Sequence, residues 1–128
     1  MKLEEGSPMP YDGARTPEEI TRLFVDRANA GDADGVADLY EEDAVMAFPP
    51  GALTTGRAAI RELMAGGFGD QPKFEYEEPL PTLFAGDIAL TATPSRDGRG
   101  TRVQVVRRQP DGTWKRLIDR PEQPPQSS

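Results

Sequence analysis

The 128-residue sequence contains neither cysteine nor histidine. Without cysteine there is no disulfide framework, no thiol nucleophile and no thiolate metal ligand, and without histidine there is no imidazole ligand and no proton shuttle for neutral pH. These absences exclude zinc catalysis and nucleophilic catalysis of the serine–histidine–aspartate and cysteine–histidine types. We therefore expect no metal and no cofactor, and we assign no catalytic residue.

Basic residues and long apolar runs are also scarce. The chain has 15 lysines and arginines against 22 aspartates and glutamates, a net charge of −7, and its basic residues form no cluster. We expect neither nucleic acid nor a membrane as a partner, because both present negative charge that attracts basic patches. No apolar run approaches the ~20 residues of a transmembrane helix, and the acidic start at residues 1–5 is unlike a signal peptide. We expect the protein in the cytoplasm.

The length fits one domain, and a chain of this size buries roughly two thirds of its unfolded surface on folding. Residues 1–15 contain prolines and glycines without an apolar period, which predicts an irregular arm, with docking of Met9 and Tyr11 on the domain as the alternative. Residues 121–128 are proline-rich and predict a tail that cannot continue a sheet. The domain itself is expected over residues 16–120.

Three helices are predicted in the first half of the chain. The segment Thr16–Glu19 combines a capping threonine, a proline at the first helical position and a glutamate whose carboxylate can accept a hydrogen bond from the threonine N–H. Gly31 can take the left-handed conformation that ends this helix, Asp32 can cap a second, short helix, and a third helix follows Gly56. The apolar residues that recur at helical spacing and should face inward are Ile20, Leu23, Phe24, Ala28, Val36, Leu39, Tyr40, Ile60, Leu63 and Met64.

A brief strand is expected at residues 44–48, after the acidic run at residues 41–43, which should end the second helix because the helix dipole disfavours negative charge there. After Gly67 apolar and polar residues alternate, which predicts four more strands. Turn sequences at residues 86–87, 97–98 and 111–112 would join them into an antiparallel meander. The first of these strands carries Phe74, Tyr76 and Leu80 on one face and bends at Pro79 and Pro81, and the second carries Ile88, Leu90 and Ala92 on one face. The third carries Val103 and Val105. The fourth carries Trp114 and Ile118 on one face and Leu117 on the opposite face.

The predicted order α-α-β-α-β-β-β-β resembles the nuclear-transport-factor-2-like superfamily, in particular its SnoaL-like (polyketide-cyclase-like) and ketosteroid-isomerase-like domains. The resemblance spans roughly residues 16 to 120 and implies an α+β cone, in which three N-terminal helices pack on a curved antiparallel sheet around a pocket. The fold hosts isomerases, cyclases, dehydratases, epoxide hydrolases and binding modules, so it implies no single activity. The stretches that carry the resemblance are residues 24–34, 39–44, Gly56 with residues 59–61, residues 85–89 and residues 111–115.

Helical spacing and this resemblance together predict one cavity between helices and sheet. For Tyr40 and Tyr76 the alternative is a core position with the hydroxyl at the rim, because an aromatic on an apolar face is often core. Large side chains such as Phe24 and Met64 can equally fill the cone. The seven side chains expected to face the cavity are Phe24, Tyr40, Phe48, Leu63, Met64, Tyr76 and Gln104.

Other polar residues have two interpretations each. Glu78 is a candidate base if it is buried, although its place next to Pro79 favours exposure. Arg102 shares a strand face with Gln104, where it could clamp a ligand carboxylate or lie in solvent. Asp119 could pair with Arg116 or with Arg120.

The sequence therefore predicts a domain whose apolar pocket binds a small hydrophobic or polyketide-like molecule. One alternative is an isomerase-, cyclase- or dehydratase-type enzyme with a non-standard acid–base set, and another is a non-catalytic dimeric interaction domain with a filled cavity. We expect a homodimer through the outer sheet face, where Val103, Val105 and Leu117 would be exposed and Arg107 would meet an acidic group of the partner.

The resemblance also yields a negative prediction about ketosteroids. Ketosteroid isomerases use a tyrosine donor, an aspartate base and a protonated aspartate donor, and the corresponding positions here hold Phe24, Phe48 and, within one residue, Gln104. Loss of a general base typically costs about 10²–10⁴-fold in rate, and loss of an oxyanion donor costs a similar factor. We expect no isomerisation of a Δ5-ketosteroid at an enzymatic rate in an absorbance assay of the conjugated product. Efficient turnover would contradict the alignment.

Overall fold

The computed structural model describes residues 13–67, 74–95 and 100–121. This part of the chain is an α+β domain, as predicted from the sequence. No helix within the described ranges has the length and apolar character to span a membrane. The predicted arm and tail lie outside these ranges except for residues 13–15 and 121. The helices are α1 (Pro17–Asn29), α2 (Ala33–Ala37) and α3 (Arg57–Gly67).

Six strands form one mixed sheet. Its order is β2-β1-β6-β5-β4-β3, in which β1 and β6 are parallel and the other neighbouring pairs are antiparallel. The predicted antiparallel meander is therefore joined at β6 by a parallel strand from the first half of the chain. The strands are β1 (Tyr40–Met46), β2 (Thr54–Thr55), β3 (Leu83–Ala85), β4 (Ile88–Pro94), β5 (Thr101–Arg108) and β6 (Trp114–Arg120).

The hydrophobic core lies between the helices and the inner sheet face. Every helix contributes to it, with Ile20 from α1, Val36 from α2 and Ile60 from α3, each at most 1% exposed. Ala14 also belongs to this core, since it is fully buried and forms a bridge to Trp114. Packing against the domain therefore extends into the stretch that the sequence assigned to the arm.

The caps of α1 and α2 follow the sequence signals. The Thr16 hydroxyl accepts a hydrogen bond from the Glu19 N–H at 3.2 Å, and the Glu19 carboxylate accepts one from the Arg15 N–H rather than from Thr16. Gly31 has a φ of 72°, and Asp32 accepts a hydrogen bond from the Gly35 N–H at 2.9 Å. Capping chemistry is local in the chain, which is why it could be predicted.

The second helix and the strand after it are displaced from their predicted bounds. Helix α2 ends at Ala37, and the acidic run Glu41–Asp43, expected at the helix end, belongs to β1. The reason is tertiary, because β1 pairs with β6 and the Glu41 carboxylate accepts two hydrogen bonds from Arg107 at 2.6 and 2.8 Å. Arg107 thus has an acidic partner within the chain, in addition to the one expected from a second copy.

The long strand predicted around Phe74, Tyr76 and Leu80 is not a strand. Residues 74–82 have neither helical nor strand structure, and the first strand of the meander is the short β3, at residues 83–85. Pro79 and Pro81 explain the difference, because proline has no N–H to donate to a sheet ladder. The turns around Gly86 and Gly112 take positive φ angles as predicted, while the turn at residues 97–98 lies outside the described residues.

A β-bulge reverses the predicted alternation in β6. The pairing of β5 with β6 shifts between Val105 and Val106, so that Leu117 has no residue directly opposite. One extra residue moves the following side chains to the other sheet face. Ile118 therefore points outward and is 49% exposed, whereas Trp114 points inward, so the prediction that these two share a face is wrong.

The outer sheet face carries a row of apolar side chains. Register pairs Leu83 with Leu90, Leu90 with Val105, Val105 with Ile118 and Ile118 with Val45, so the row crosses five strands. Leu83 and Leu90 are 65% and 38% exposed. We call these five residues the outer apolar row; Ile118, and not the predicted Leu117, completes it.

Candidate functional site

A cavity of about 330 Å³ lies between the helices and the inner sheet face. Its apolar lining comes from α1, β1 and α3, and from the residues that follow β1, precede β3 and follow β6. Because these groups are aromatic, aliphatic or thioether, most of the cavity wall offers only van der Waals contact. The apolar lining residues are Phe24, Val25, Met46, Phe48, Met64, Phe74 and Pro121.

The polar lining is concentrated on the sheet. Glu75 is exposed and Arg102 is half-buried, which marks the side nearer to solvent, while the other polar side chains are at most 8% exposed. The cavity thus has a buried polar end and an outer end. The polar lining residues are Thr21, Glu75, Thr93, Arg102, Gln104, Arg116 and Asp119.

The buried polar end is organised around the Asp119 carboxylate. The Tyr40 hydroxyl donates to its Oδ2 at 2.6 Å, Gln104 Nε2 donates to its Oδ1 at 3.1 Å, and Arg116 Nη1 lies 3.6 Å from Oδ2. Burying an unpaired carboxylate would cost several kcal/mol, roughly, so these partners are what allow Asp119 to be 3% exposed. The donors come from β1, β5 and β6, and they hold the three strands together at this point.

The amide of Gln104 has a defined orientation. Its Oε1 accepts a hydrogen bond from the Thr91 hydroxyl at 2.7 Å, and its Nε2 donates to Asp119, which as a carboxylate can only accept. One N–H of the amide group is therefore used, and none of the described residues accepts the second. Gln104 thus presents a donor at a place where it borders the cavity.

The Arg116 guanidinium is buried beneath Phe24. Its central carbon lies 5.1 Å from the centre of the Phe24 ring and 5.8 Å from that of Tyr40. Nη1 donates to the Tyr40 hydroxyl at 3.2 Å and Nη2 to the Thr21 hydroxyl at 3.5 Å, while Nε is buried and finds no acceptor among the described residues. Stacking against aromatic faces and the charge of Asp119 together compensate for the lost hydration.

Tyr40 stays protonated within this network. Burial raises the pKa of Tyr40 well above its usual value, the nearby Asp119 charge raises it further, and Arg116 opposes the shift. The phenol is therefore a hydrogen-bond donor to Asp119 over the whole physiological range of pH. It cannot serve as a phenolate base near neutrality.

The structure brings four of the seven expected cavity residues together. Phe24, Phe48, Met64 and Gln104 border the cavity. The other three do not. Tyr40 is fully buried behind the lining with its hydroxyl on Asp119, Leu63 packs half-buried against the core, and Tyr76 lies under the Arg22 guanidinium at 4.2 Å.

The remaining polar candidates are resolved by their surroundings. Glu78 is exposed, so it has no buried environment that would make it a base. Arg102 borders the cavity and forms an ion pair with Glu77 at 2.6 Å. Asp119 pairs with Arg116, one of its two proposed partners, inside the domain.

Sequence reasoning missed that this Arg116–Asp119 pair borders the cavity. Residues three apart in a regular strand point to opposite faces. The bulge at Leu117 places Arg116 opposite Val106 and Asp119 opposite Gln104, and these two β5 residues share the inner face. The sequence does show two opposite charges, Arg116 and Asp119, separated by two apolar residues. This spacing indicates a pair on one face of the strand only when a bulge lies between them.

We expect removal of the cation from the buried ion pair to cost the domain far more stability than removal of the cation from an exposed pair. Arg116→Met would leave the Asp119 charge without its cation and should lower the free energy of unfolding by about 3–5 kcal/mol, measured by urea denaturation. Arg108→Met makes the same chemical change in the exposed pair with Asp87 and serves as the matched control, with little expected effect. Equal losses in the two variants would contradict this account of the polar end.

Solved structures of similar fold come from several bacteria. A function-unknown protein from Mycobacterium tuberculosis is 20% identical, with a TM-score of 0.67 over 86% of this chain and 74% of that chain. A ketosteroid isomerase-like protein from Erwinia carotovora atroseptica is 16% identical, with a TM-score of 0.66 over 84% of this chain and 94% of that one. A nuclear transport factor 2-like superfamily protein from Salmonella enterica serovar Typhimurium is 16% identical, with a TM-score of 0.65 over 87% and 89%. At these identities the likeness shows the fold.

The family itself is shown by sequence. A family profile described as the SnoaL-like domain matches residues 21–116, which is more than half of the chain. This span begins within α1 and ends within β6, so it includes every cavity-lining residue except Asp119 and Pro121. The resemblance inferred from the sequence is confirmed: the chain has the fold of nuclear-transport-factor-2-like proteins, and it belongs to the SnoaL-like family.

Proposed function

We propose that this domain binds a small, neutral and mainly apolar molecule in the cavity, with a carbonyl-type acceptor directed at Gln104. The observation that carries the proposal is the combination of a cavity of about 330 Å³ with a buried end whose acceptors are already occupied. Aromatic ketones of the polyketide type have this chemistry.

The size and lining of the cavity support an apolar ligand body. Small-molecule sites typically measure roughly 300–1,000 Å³ and are lined mainly by apolar side chains with a few placed polar groups. This cavity lies at the lower end of that range, and half of its lining residues are apolar. A ligand with one or two rings suits it better than a steroid-sized molecule.

The charges around the cavity support a neutral ligand. Arg116 is paired with Asp119 at the buried end, and Arg102 is paired with Glu77 at the outer end. A ligand carboxylate would have to be desolvated beside Asp119 and Glu75 and to compete with existing partners for either arginine. A neutral molecule avoids both costs.

The hydrogen-bond inventory supports an acceptor on the ligand. Both Asp119 oxygens and the Tyr40 hydroxyl oxygen already accept hydrogen bonds, whereas the second N–H of Gln104 is not accepted by a described residue. A carbonyl or ether oxygen would satisfy this N–H, and a hydroxyl donor would find few acceptors. Gln104 therefore sets the polar selectivity in this proposal.

Three naphthalene derivatives of similar size test the proposal. We expect 2-acetylnaphthalene to bind more tightly than 2-ethylnaphthalene by about three- to tenfold, which is the net value of one neutral hydrogen bond. The anion 2-naphthoate should bind most weakly. Isothermal titration calorimetry gives the dissociation constants. Absence of binding by all three would reject a binding cavity of this size, and tightest binding of 2-naphthoate would show that the site selects anions instead.

Gln104→Leu is the corresponding variant. This substitution replaces the amide donor with an apolar side chain. We therefore expect the variant to bind 2-acetylnaphthalene and 2-ethylnaphthalene equally. Retained binding of 2-ethylnaphthalene is the internal control, because it shows that the cavity has survived the loss of the Thr91 and Asp119 contacts. A preserved preference for the ketone would remove Gln104 from the proposal.

A second candidate function is a proton-transfer enzyme of the isomerase or cyclase type. The Asp119 carboxylate favours it, because it is buried and borders the cavity beside Tyr40. Both carboxylate oxygens hold donors, however, so proton abstraction would require one of these hydrogen bonds to be released. Exchange of the methyl protons of 2-acetylnaphthalene in deuterated water, followed by NMR and lost in Asp119→Asn, would favour the enzyme over the binding module.

We further propose that two copies pair through the outer apolar row. The row is a continuous set of apolar side chains on a sheet face, and the charged groups beside it are paired within the chain, as Arg107 is with Glu41. A second copy brings the same row, so a two-fold arrangement covers both at once. The third possibility, an interaction domain without a ligand, is less well supported because the cavity is not filled by side chains.

Light scattering tests the pairing. We expect a mass twice the 14.0 kDa of one chain for the unmodified protein, and a mass near 14.0 kDa for Leu90→Lys/Ile118→Lys, whose charges would be buried in the interface. Leu53→Lys is the matched control, because Leu53 is 67% exposed and lies outside the row. A concentration-independent mass near 14.0 kDa for the unmodified protein would contradict the pairing.

A further inference from the structure

Residues 74–82, which we call the strap, form one wall of the cavity. The strap has neither helical nor strand structure, yet Phe74 and Glu75 border the cavity beside residues of α1 and of the sheet. Apart from Phe48 and Pro121, the other lining residues belong to regular elements whose backbone hydrogen bonds are made internally or across the sheet. The strap is therefore the wall whose position depends most on side-chain contacts.

One end of the strap is held by an amide clamp from α1. The Asn29 side chain donates to the Phe74 carbonyl at 2.9 Å and accepts from the Phe74 N–H at 2.7 Å, as a neighbouring strand would. The Phe74 ring also meets the Phe24 ring edge-on, with 5.6 Å between ring centres. The Asn29 side chain thus forms hydrogen bonds with both the N–H and the carbonyl of Phe74, which lines the cavity.

The middle of the strap is held from both sides by arginines. The Arg22 guanidinium of α1 lies 4.2 Å from the centre of the Tyr76 ring, and Arg102 of β5 pairs with Glu77 at 2.6 Å. Contacts of these kinds are weak when they are partly exposed. They position the strap without making it as rigid as a paired strand.

The other end of the strap is fixed to the sheet and to the start of α1. The Leu80 N–H donates to the Ala92 carbonyl at 2.8 Å, and the Thr82 hydroxyl donates to the Glu18 carboxylate. This Thr82 contact holds the pKa of Glu18 below its ordinary value. Strand β3 begins at the next residue, so residues 80–82, which we call the fixed end, are continuous with the sheet. The contacts described for residues 74–77 are instead made with side chains of α1 and β5.

We propose that the strap is the gate of the cavity. Residues 74–77 swing about the fixed end when the Asn29 clamp and the Arg102–Glu77 pair are released, and they close again over a bound molecule. The identity of the molecule that passes the gate rests on the proposed function. The opening of the gate does not, because it is a property of the protein alone. The first experiment therefore needs no ligand.

Native-state hydrogen exchange, read by NMR, measures the opening directly. We expect the amides of residues 74–77 to exchange through a local opening, at least tenfold faster than the paired amides of β4 and β5. Asn29→Ala should accelerate the exchange of residues 74–77 by roughly another five- to tenfold and leave β5 unchanged. Arg61→Ala, which removes an exposed contact of α3 with Asp34, is the control and should leave the strap unchanged. Strap exchange as slow as that of β5, or unaffected by Asn29→Ala, would overturn the gate.

Binding kinetics of 2-acetylnaphthalene test the passage of the ligand. Asn29→Ala should raise the association and dissociation rates together, by a similar factor, so that the dissociation constant changes little. Since the chain has no cysteine, Glu77→Cys/Arg102→Cys can be joined selectively by a short bis-maleimide. We expect this crosslink to slow both rates about tenfold relative to the same double-cysteine protein treated with a monofunctional maleimide, which modifies both positions without joining them.

The two failures are distinguishable. A crosslinked protein that binds at the rate of the same double-cysteine protein treated with a monofunctional maleimide would overturn the gate while leaving the binding function intact. Absence of binding in the unmodified protein would reject the proposed function, and the exchange of residues 74–77 would then decide the gate by itself.

Discussion

The Asp119 carboxylate is the group on which the rest of the site depends. A buried charge is tolerated only when donors surround it, and here the donors come from three adjacent strands: Tyr40 in β1, Gln104 in β5 and Arg116 in β6. Satisfying this one carboxylate aligns the parallel and antiparallel parts of the sheet. It also places a donor on each Asp119 oxygen, and it leaves one Gln104 N–H and Arg116 Nε without an acceptor among the described residues.

A single irregularity makes this arrangement possible. The bulge at Leu117 brings Arg116 and Asp119 to the same sheet face, where they border the cavity, and it turns Ile118 to the opposite face, where it completes the outer apolar row. One inserted residue therefore determines which side chains of β6 face the cavity and which face outward. The site and the proposed pairing surface are linked through the same strand.

The cavity exists because small side chains occupy the inner face of β4. Thr91 and Thr93 point inward and are at most 2% exposed, whereas Leu90, on the alternate face, points outward. Short hydroxyl side chains leave volume between sheet and helices that leucine or phenylalanine would fill. The wall opposite this inner face includes the strap, so the volume is bounded on one side by paired strands and on another by a segment held through Asn29.

The sequence alone determined what depends on neighbouring residues. The caps at Thr16 and Asp32, the glycine turns and the helical spacing of Ile20 and Ile60 are short-range features, so element types, family and much of the apolar lining could be predicted. Tertiary structure decided the rest. The acidic start of β1 is a strand because β6 pairs with it, Phe74 lies against α1 because the Asn29 side chain binds its main chain, and Arg116 reaches Asp119 because a bulge shifts the register. Each of these depends on a partner distant in the chain or on a register shift, neither of which leaves a period in the sequence.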